Sequence, residues 1–422
     1  MGYSYVIRRE RTDLKLAESH YTAASASGVD TFEGKIKLSE EFTENLQKSI
    51  QDIIKREEYI SHSIDVRKLS TGGNNFLGEL YEIDVKGKTK DGEKETNIFL
   101  KRIIHNDDFK VYSIPEVYKK EAFVYKELGK IFNELQENAN IPNDDRFKMV
   151  KSYDETSGEV IILENLARKG FKIMPRMDVM TIEFAKLSIE QLAKFHALSF
   201  VLQKMKKEYF DTRIKSIKQS FVYDDYWNEF VKNMYEVSTS KLDEVTKARI
   251  KRFFDTSLDK YPKYMNGLSS NIKCLCHGDF KMNNVLMKEK VCDPYIIEVI
   301  AIDYQQIYFG CPVIDLIYFI YAASDRDFRK QHLSYLKDRY YETLTSFLNY
   351  FSIGISTVYP REEFEECFRN SLDYALMYTL YMLPMFFLCD DVPDLSKDEL
   401  LEMNISKQNL RWKTEMVNIQ TI

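Results

Sequence analysis

Cysteine is scarce, at six in 422 residues, and so few do not make a disulfide framework. Basic residues are not in excess. Sixty Lys and Arg face 66 Asp and Glu, for a net charge of −6. Proteins that bind nucleic acid by neutralising phosphates are usually basic, so no nucleic-acid partner is expected. Long apolar runs are missing too. The most apolar stretch, Ala375 to Cys389, is too short to span a bilayer, and Pro384 interrupts it. It reads as a buried pair of helices, and no membrane partner is expected. No apolar signal-peptide core follows the opening Met1-Gly2-Tyr3-Ser4-Tyr5-Val6, and Val6 stands where a myristoylation motif needs Ser or Thr. Internal repeats and low-complexity tracts are also absent. The expectation is a reduced, cytoplasmic protein acting as a monomer.

What is present is ordinary for a globular chain: 44% apolar and 30% charged residues. The 28 Tyr and 27 Phe supply bulk for a large core. The length fits roughly two to three domains. Residues 1–38 are polar without sustained periodicity and read as an extension. From Ser39, a candidate N-cap, to about Tyr59, Phe42, Leu46, Ile50, Ile53 and Ile54 recur at helical spacing. A strand-rich region follows. Ile64, Val66 and Leu69 precede a Gly72-Gly73-Asn74-Asn75 turn; Leu80, Ile83 and Val85 follow it. Asp91-Gly92 signals a hairpin, and Ile98 to Ile104 reads as the next strand. Pro115 to about Leu135 is helical, and Val160 to Leu163 is a short strand. Beyond residue 166 helical periods dominate: Ile182 to Met205, Tyr226 to Tyr235, Val313 to Ala322, Leu333 to Phe351 and Glu362 to Phe387. Only Val285 to Met287 and Tyr295 to Ile302 read as strands there. The fold class is therefore α+β, with a small sheet-rich lobe (39–165) ahead of a larger helical lobe (166–422).

The chemistry concentrates in His277-Gly278-Asp279-Phe280-Lys281-Met282-Asn283-Asn284, followed by Ile302-Asp303-Tyr304. Phosphoryl transfer needs a carboxylate near the acceptor hydroxyl and oxygen ligands for magnesium. Asp279 can supply the first, and Asn284 part of the second. Asp303, at a strand end, completes a metal site. This is the order of kinase catalytic loops. Upstream, Lys101 lies among apolar strand residues, where a lysine is costly unless paired. Glu121 is its natural partner, and together they would hold the α and β phosphates of a nucleotide. Gly72, Gly73 and Asn74 stand where a phosphate-covering turn belongs, although they lack a G-x-G-x-x-G pattern. Glu164-Asn165-Leu166 would be the linker whose backbone meets adenine. Cys274 and Cys276 read as buried strand thiols, and His196, within an apolar helical run, as a core histidine.

These residues resemble the aminoglycoside phosphotransferase and choline kinase superfamily, and within it the ecdysteroid kinase-like family. Four stretches carry the closer resemblance: Leu163-Glu164-Asn165-Leu166 leading to Gly170-Phe171; Leu192-Ala193-Lys194-Phe195-His196-Ala197-Leu198-Ser199; His277-Gly278-Asp279 with Asn283-Asn284; and Ile302-Asp303-Tyr304-Gln305 leading to Gly310-Cys311-Pro312 and Asp315-Leu316. The resemblance covers roughly residues 40 to 415. It implies a two-lobed protein-kinase-like fold that phosphorylates a small-molecule alcohol with ATP and Mg2+. It implies Asp279 as base, Asn284 and Asp303 as magnesium ligands, and Lys101 with Glu121 as the phosphate anchor. It implies Asp315 and His277 as braces of the catalytic loop.

The chain departs from the family at Lys281, where a bulky aromatic is usual, and in the glycine richness of Gly72-Gly73. A lysine two residues after the base can approach the transferring phosphate, so Lys281 joins the catalytic candidates. A protein kinase is disfavoured, because the Gly310-Cys311-Pro312 turn follows Asp303 too closely for an activation segment ending in Ala-Pro-Glu. The other readings are a choline- or aminoglycoside-type kinase, and a non-catalytic small-molecule-binding protein of the same fold. Tyr374, Met377, Tyr378 and Tyr381 are expected to wall the acceptor pocket.

Overall fold

The computed structural model describes residues 43–69, 78–104, 112–175, 178–266, 271–290 and 293–382. The extension at 1–38, the Gly72-Gly73-Asn74 turn and the apolar run beyond residue 382 lie outside the described residues.

The N-terminal lobe is a four-stranded antiparallel sheet in the order β1 (Ser61–Leu69), β2 (Gly78–Thr89), β3 (Gly92–Ile103) and β4 (Val160–Glu164). Helix α1 (Glu44–Arg56) precedes it and buries Leu46, Ile50, Ile53 and Ile54 at helical spacing. Its N-cap is Thr43, whose Oγ1 accepts from the Leu46 amide at 3.4 Å, rather than Ser39. The β2–β3 hairpin turns on Lys90 and Asp91 with Thr89 opposite Gly92, and Gly92 takes a φ of +123°. Alternation along β3 turns Ile98 and Leu100 inward while Lys101 pairs across with Leu80 and Ile161. The long helix expected after Pro115 forms as α2 (Ile114–Phe123), a π-helical turn (Val124–Leu128) and α3 (Gly129–Asn138).

The C-terminal lobe is mainly helical. It holds α4 (Ile182–Met205), a short α5 (Lys207–Tyr209), α6 (Asp225–Thr239), α7 (Glu244–Ser257), α8 (Tyr261–Met265), α9 (Pro312–Ala322), α10 (Arg326–Asn349), α11 (Arg361–Asn370) and α12 (Leu372–Tyr381). Five strands interrupt rather than the two expected. β5 (Phe171–Ile173), β7 (Val285–Lys290) and β8 (Asp293–Ala301) form one antiparallel sheet, and β6 (Cys274–Cys276) pairs with β9 (Tyr308–Gly310). The three missed strands have three residues each, too few for a two-residue period to register. The helix expected over Glu362 to Phe387 is broken at Ser371, whose amide reaches back to the Cys367 carbonyl at 3.0 Å. The result is a two-lobed protein-kinase-like α+β fold. Among the described residues no helix is long and apolar enough to cross a membrane.

Candidate active site

The loop after β6 and the end of β8 face each other because their backbones are joined. The Ile302 amide donates to the Asn284 carbonyl at 2.9 Å. His277 adds a second tie. Its Nε2 meets the Ile302 carbonyl at 3.1 Å, and its Nδ1 accepts from the Asp279 amide at 3.4 Å. A carbonyl can only accept, so Nε2 carries the proton and the imidazole is neutral. Burial pushes the His277 pKa down, in keeping with that state. Gly278 has a φ of +78°, and a Cβ there would fall 2.1 Å from the Gln306 carbonyl oxygen. Only glycine fits that approach.

Helix α9 holds the loop from beneath. The Asp315 carboxylate is buried and accepts from the His277 amide at 2.5 Å and the Gly278 amide at 2.9 Å. It also meets His196 Nε2 at 3.2 Å, while His196 Nδ1 meets the Tyr340 hydroxyl at 2.7 Å. His196 is therefore a satisfied core residue of α4. Cys274 and Cys276 lie beside it, with all three candidate ligand atoms within 4.8 Å. Both imidazole nitrogens are already bonded, and burial pushes both thiols up, so the cluster packs rather than presents thiolates.

Asp279 is 9% exposed. Its Oδ2 accepts from Asn284 Nδ2 at 2.9 Å and sits 3.0 Å from Lys281 Nζ. Its Oδ1 accepts from the Tyr318 hydroxyl at 2.5 Å. Lys281 thus turns toward the carboxylate rather than to solvent. Asn284 Nδ2 also donates to the Asp279 carbonyl at 2.9 Å. These bonds use the amide nitrogen, and its Oδ1 remains available to a hard cation.

Asp303 adopts a left-handed backbone, φ +66°, which turns its carboxylate back toward β3. Lys101 Nζ stands between Asp303 Oδ1 at 2.6 Å and Glu121 Oε2 at 2.8 Å, with Gln305 Oε1 at 3.2 Å. Gln305 Nε2 donates to the other Asp303 oxygen at 3.3 Å. Burial works against the Asp303 charge, but the adjacent Lys101 ammonium holds its carboxyl below the ordinary value. Burial also opposes the Lys101 charge, and the two carboxylates outweigh it, holding the ammonium firmly protonated. Burial pushes Glu121 up to about 7 against the pull of Lys101. Two oxygen donors, Asn284 and Asp303, suit magnesium, which takes one or two protein ligands and completes its shell with water and phosphate.

The linker is held by the sheet. Glu164 ends β4 and pairs with Lys169 at 2.6 Å. The Asn165 amide donates to the Asn97 carbonyl at 2.9 Å, and its side chain to Glu82 at 2.9 Å. Arg168 binds Asp84 at 2.7 Å, and Leu166 is buried. Of the expected pocket wall, Tyr374, Met377, Tyr378 and Tyr381 are all buried in the core. Tyr378 lies against Tyr318, with ring centroids 4.3 Å apart. Tyr318 and Gln305 were missed as site residues. The only signal for Tyr318 was its place three residues after Asp315, on the same face of α9.

The family model for the ecdysteroid kinase-like family matches residues 72–352. No curated protein matches the chain. Solved structures similar to it include an ethanolamine kinase from Plasmodium vivax, at 12% identity, covering 78% of this chain and 77% of that one with a TM-score of 0.38. A GDP complex of aminoglycoside 2′-phosphotransferase-IIIa is 12% identical, covering 80% and 99%, with a TM-score of 0.36. A choline/ethanolamine kinase family protein from Mesorhizobium loti is 11% identical, covering 77% and 90%, with a TM-score of 0.31. The family match runs over more than half of the sequence and takes in β2 to β9, the catalytic loop and Asp303: the chain belongs to the ecdysteroid kinase-like family.

Proposed function

We propose that this protein is a small-molecule kinase that transfers the γ-phosphoryl group of ATP, with Mg2+, to a hydroxyl of an ecdysteroid-like or other apolar alcohol. The observation that carries the reading is that two charge systems lie side by side, tied through His277, which bonds both the Asp279 amide and the carbonyl of Ile302 next to Asp303. Asp279 is gripped by Asn284, Lys281 and Tyr318, and Asp303 is gripped by Lys101 and Gln305.

Asp279 takes the proton of the acceptor hydroxyl as that oxygen forms its bond to the γ-phosphorus. The bond from phosphorus to the β,γ-bridging oxygen breaks, and its electron pair leaves with ADP. Lys101, held against Glu121, keeps its full charge for the α and β phosphates. Asn284 Oδ1 and the Asp303 carboxylate would hold a magnesium ion, which when bound would neutralise phosphate charge. Lys281 stands close enough to Asp279 to share its surroundings and offset charge on the moving group. The aromatic side of Asp279, formed by Tyr318 and Tyr378, supports an apolar acceptor. Burial holds both phenols uncharged, well above their ordinary pKa.

The test is a screen of ecdysteroids, choline-like amines and plant-derived alcohols for ATP-dependent phosphorylation. Asp279→Asn should nearly abolish turnover while nucleotide still binds, and Asp303→Asn should weaken magnesium-dependent nucleotide binding. Near wild-type turnover in either variant, or no acceptor phosphorylated by the wild type, refutes the reading.

A further inference from the structure

On the reading above Asp279 takes the acceptor proton, and a carboxylate can take it at either oxygen. The contacts around it distinguish the two. Each carboxylate oxygen offers two in-plane lone pairs. Oδ2 accepts a hydrogen bond from Asn284 Nδ2 at 2.9 Å and is ion-paired with the Lys281 ammonium at 3.0 Å, whose positive charge lowers its basicity. Oδ1 also accepts one hydrogen bond, from the Tyr318 hydroxyl at 2.5 Å, but among the described residues it has no ammonium paired with it, so its second lone pair is the one left to take a proton. Both contacts on Oδ2 come from the loop that carries Asp279. A carboxylate gripped at one oxygen can still swing about its Cβ–Cγ bond. The contact from α9 to the other oxygen fixes the plane.

The sequence places Tyr318 for this. Pro312 starts α9 directly after β9, and Asp315 lies in its first turn. Asp315 and Tyr318 are three residues apart and share a face. Asp315 binds the loop backbone at His277 and Gly278, and Tyr318 binds the loop side chain at Asp279. One rigid helix therefore sets both the path of the loop and the rotamer of its acid. Tyr318 is 7% exposed. Its ring packs against Tyr378, and burial keeps its phenol protonated, so toward Asp279 it acts only as a donor.

We propose that Tyr318 is a positioning residue for phosphoryl transfer: its hydroxyl fixes the Asp279 carboxylate so that the open lone pair of Oδ1 receives the acceptor proton. This rests on the reading of Asp279 as the base. The proton leaves the acceptor oxygen for Oδ1 as that oxygen bonds to phosphorus, and Tyr318 keeps its own proton throughout.

The test uses the full chain with ATP, Mg2+ and whichever acceptor the screen yields. Tyr318→Phe removes one oxygen and keeps the ring. It should lower kcat about tenfold or more, with acceptor KM and nucleotide Kd within about twofold, because the lost contact orients the base and does not bind substrate. Introducing 3-fluorotyrosine at position 318 keeps the hydroxyl and should keep kcat within about twofold. In an Asp279→Asn background, Tyr318→Phe should add almost nothing, since its effect runs through the missing carboxylate. Tyr359→Phe, elsewhere in the lobe, removes a buried hydroxyl that has no hydrogen-bond partner among the described residues; it controls for packing and should leave kcat unchanged. The proposal is overturned if Tyr318→Phe keeps kcat within about twofold of wild type. It is equally overturned if the fluorinated protein falls as far as Tyr318→Phe, or if the effect persists undiminished without the Asp279 carboxylate. Full turnover by Asp279→Asn alone instead removes the base reading itself, and that outcome is distinct from the others.

Discussion

Replacing Lys101 with Met should make the folding stability of this protein newly dependent on pH. Lys101 lies between Glu121 at 2.8 Å and Asp303 at 2.6 Å, and both it and Glu121 are buried, at 7% and 2% exposure. Removing one partner of a buried ion pair ordinarily costs about 3–5 kcal/mol. Here the two carboxylates have an escape, because one can take a proton. Glu121 is the one to do so, since burial already pushes it up to about 7. Without the ammonium its folded pKa rises further.

The sign follows from linkage. An acid with a raised folded pKa stabilises the folded state below its unfolded pKa, and that stability is lost as pH rises toward the folded pKa. In the wild type the loss from Glu121 levels off as pH passes its folded pKa of about 7. In Lys101→Met it continues above pH 7, at about 1.4 kcal/mol per pH unit. Between pH 7 and 8.5 the gap between variant and wild type should therefore widen by about 2 kcal/mol. Below about pH 6, a unit under the wild-type pKa, the gap should be constant. Urea unfolding followed by circular dichroism at pH 6, 7 and 8.5 measures it. A gap that is the same at pH 6 and 8.5 would show that Glu121 does not absorb the lost charge, and the reasoning would fail.

Other substitutions test the loop. Lys281→Met should lower kcat about tenfold or more, about 1.4 kcal/mol of barrier, with little change in acceptor KM; turnover within about twofold at saturating substrates would leave Lys281 outside the chemistry. Gly278→Ala should cost about 1–2 kcal/mol for the left-handed backbone alone, and more for the collision with the Gln306 carbonyl, so both melting temperature and turnover should fall together. Asp315→Ala strands the His277 and Gly278 amides at about 1–3 kcal/mol each, and a urea midpoint equal to wild type would show that other groups hold the loop.

Local patterns carried much of the architecture. The apolar periodicity of Ile182 to Met205 marks α4 to the residue, because a 24-residue helix repeats its period many times. The order of Lys101, Glu121, Asp279, Asn284 and Asp303 was legible because each stands beside a recognisable strand, helix or turn. Periodicity could not see the break at Ser371, since Phe364, Cys367, Tyr374 and Tyr378, spaced three, seven and four apart, keep a helical rhythm across it. Nor could it see β5, β6 and β9, whose pairing depends on partners far along the chain. Which acid Lys101 faces most closely, and which way Lys281 turns, were decided by distances that no local pattern encodes. Asp279 and Tyr318 are 39 residues apart, with three strands between them, and neither residue type implies the other. Their contact exists because β6 and β9 pair, and that pairing sets the start of α9 beneath the catalytic loop. The sequence by itself determined the chemical groups and their order. Tertiary packing alone decided which oxygen of Asp279 lies against the Lys281 ammonium and which accepts from Tyr318, because those neighbours meet only in the folded chain.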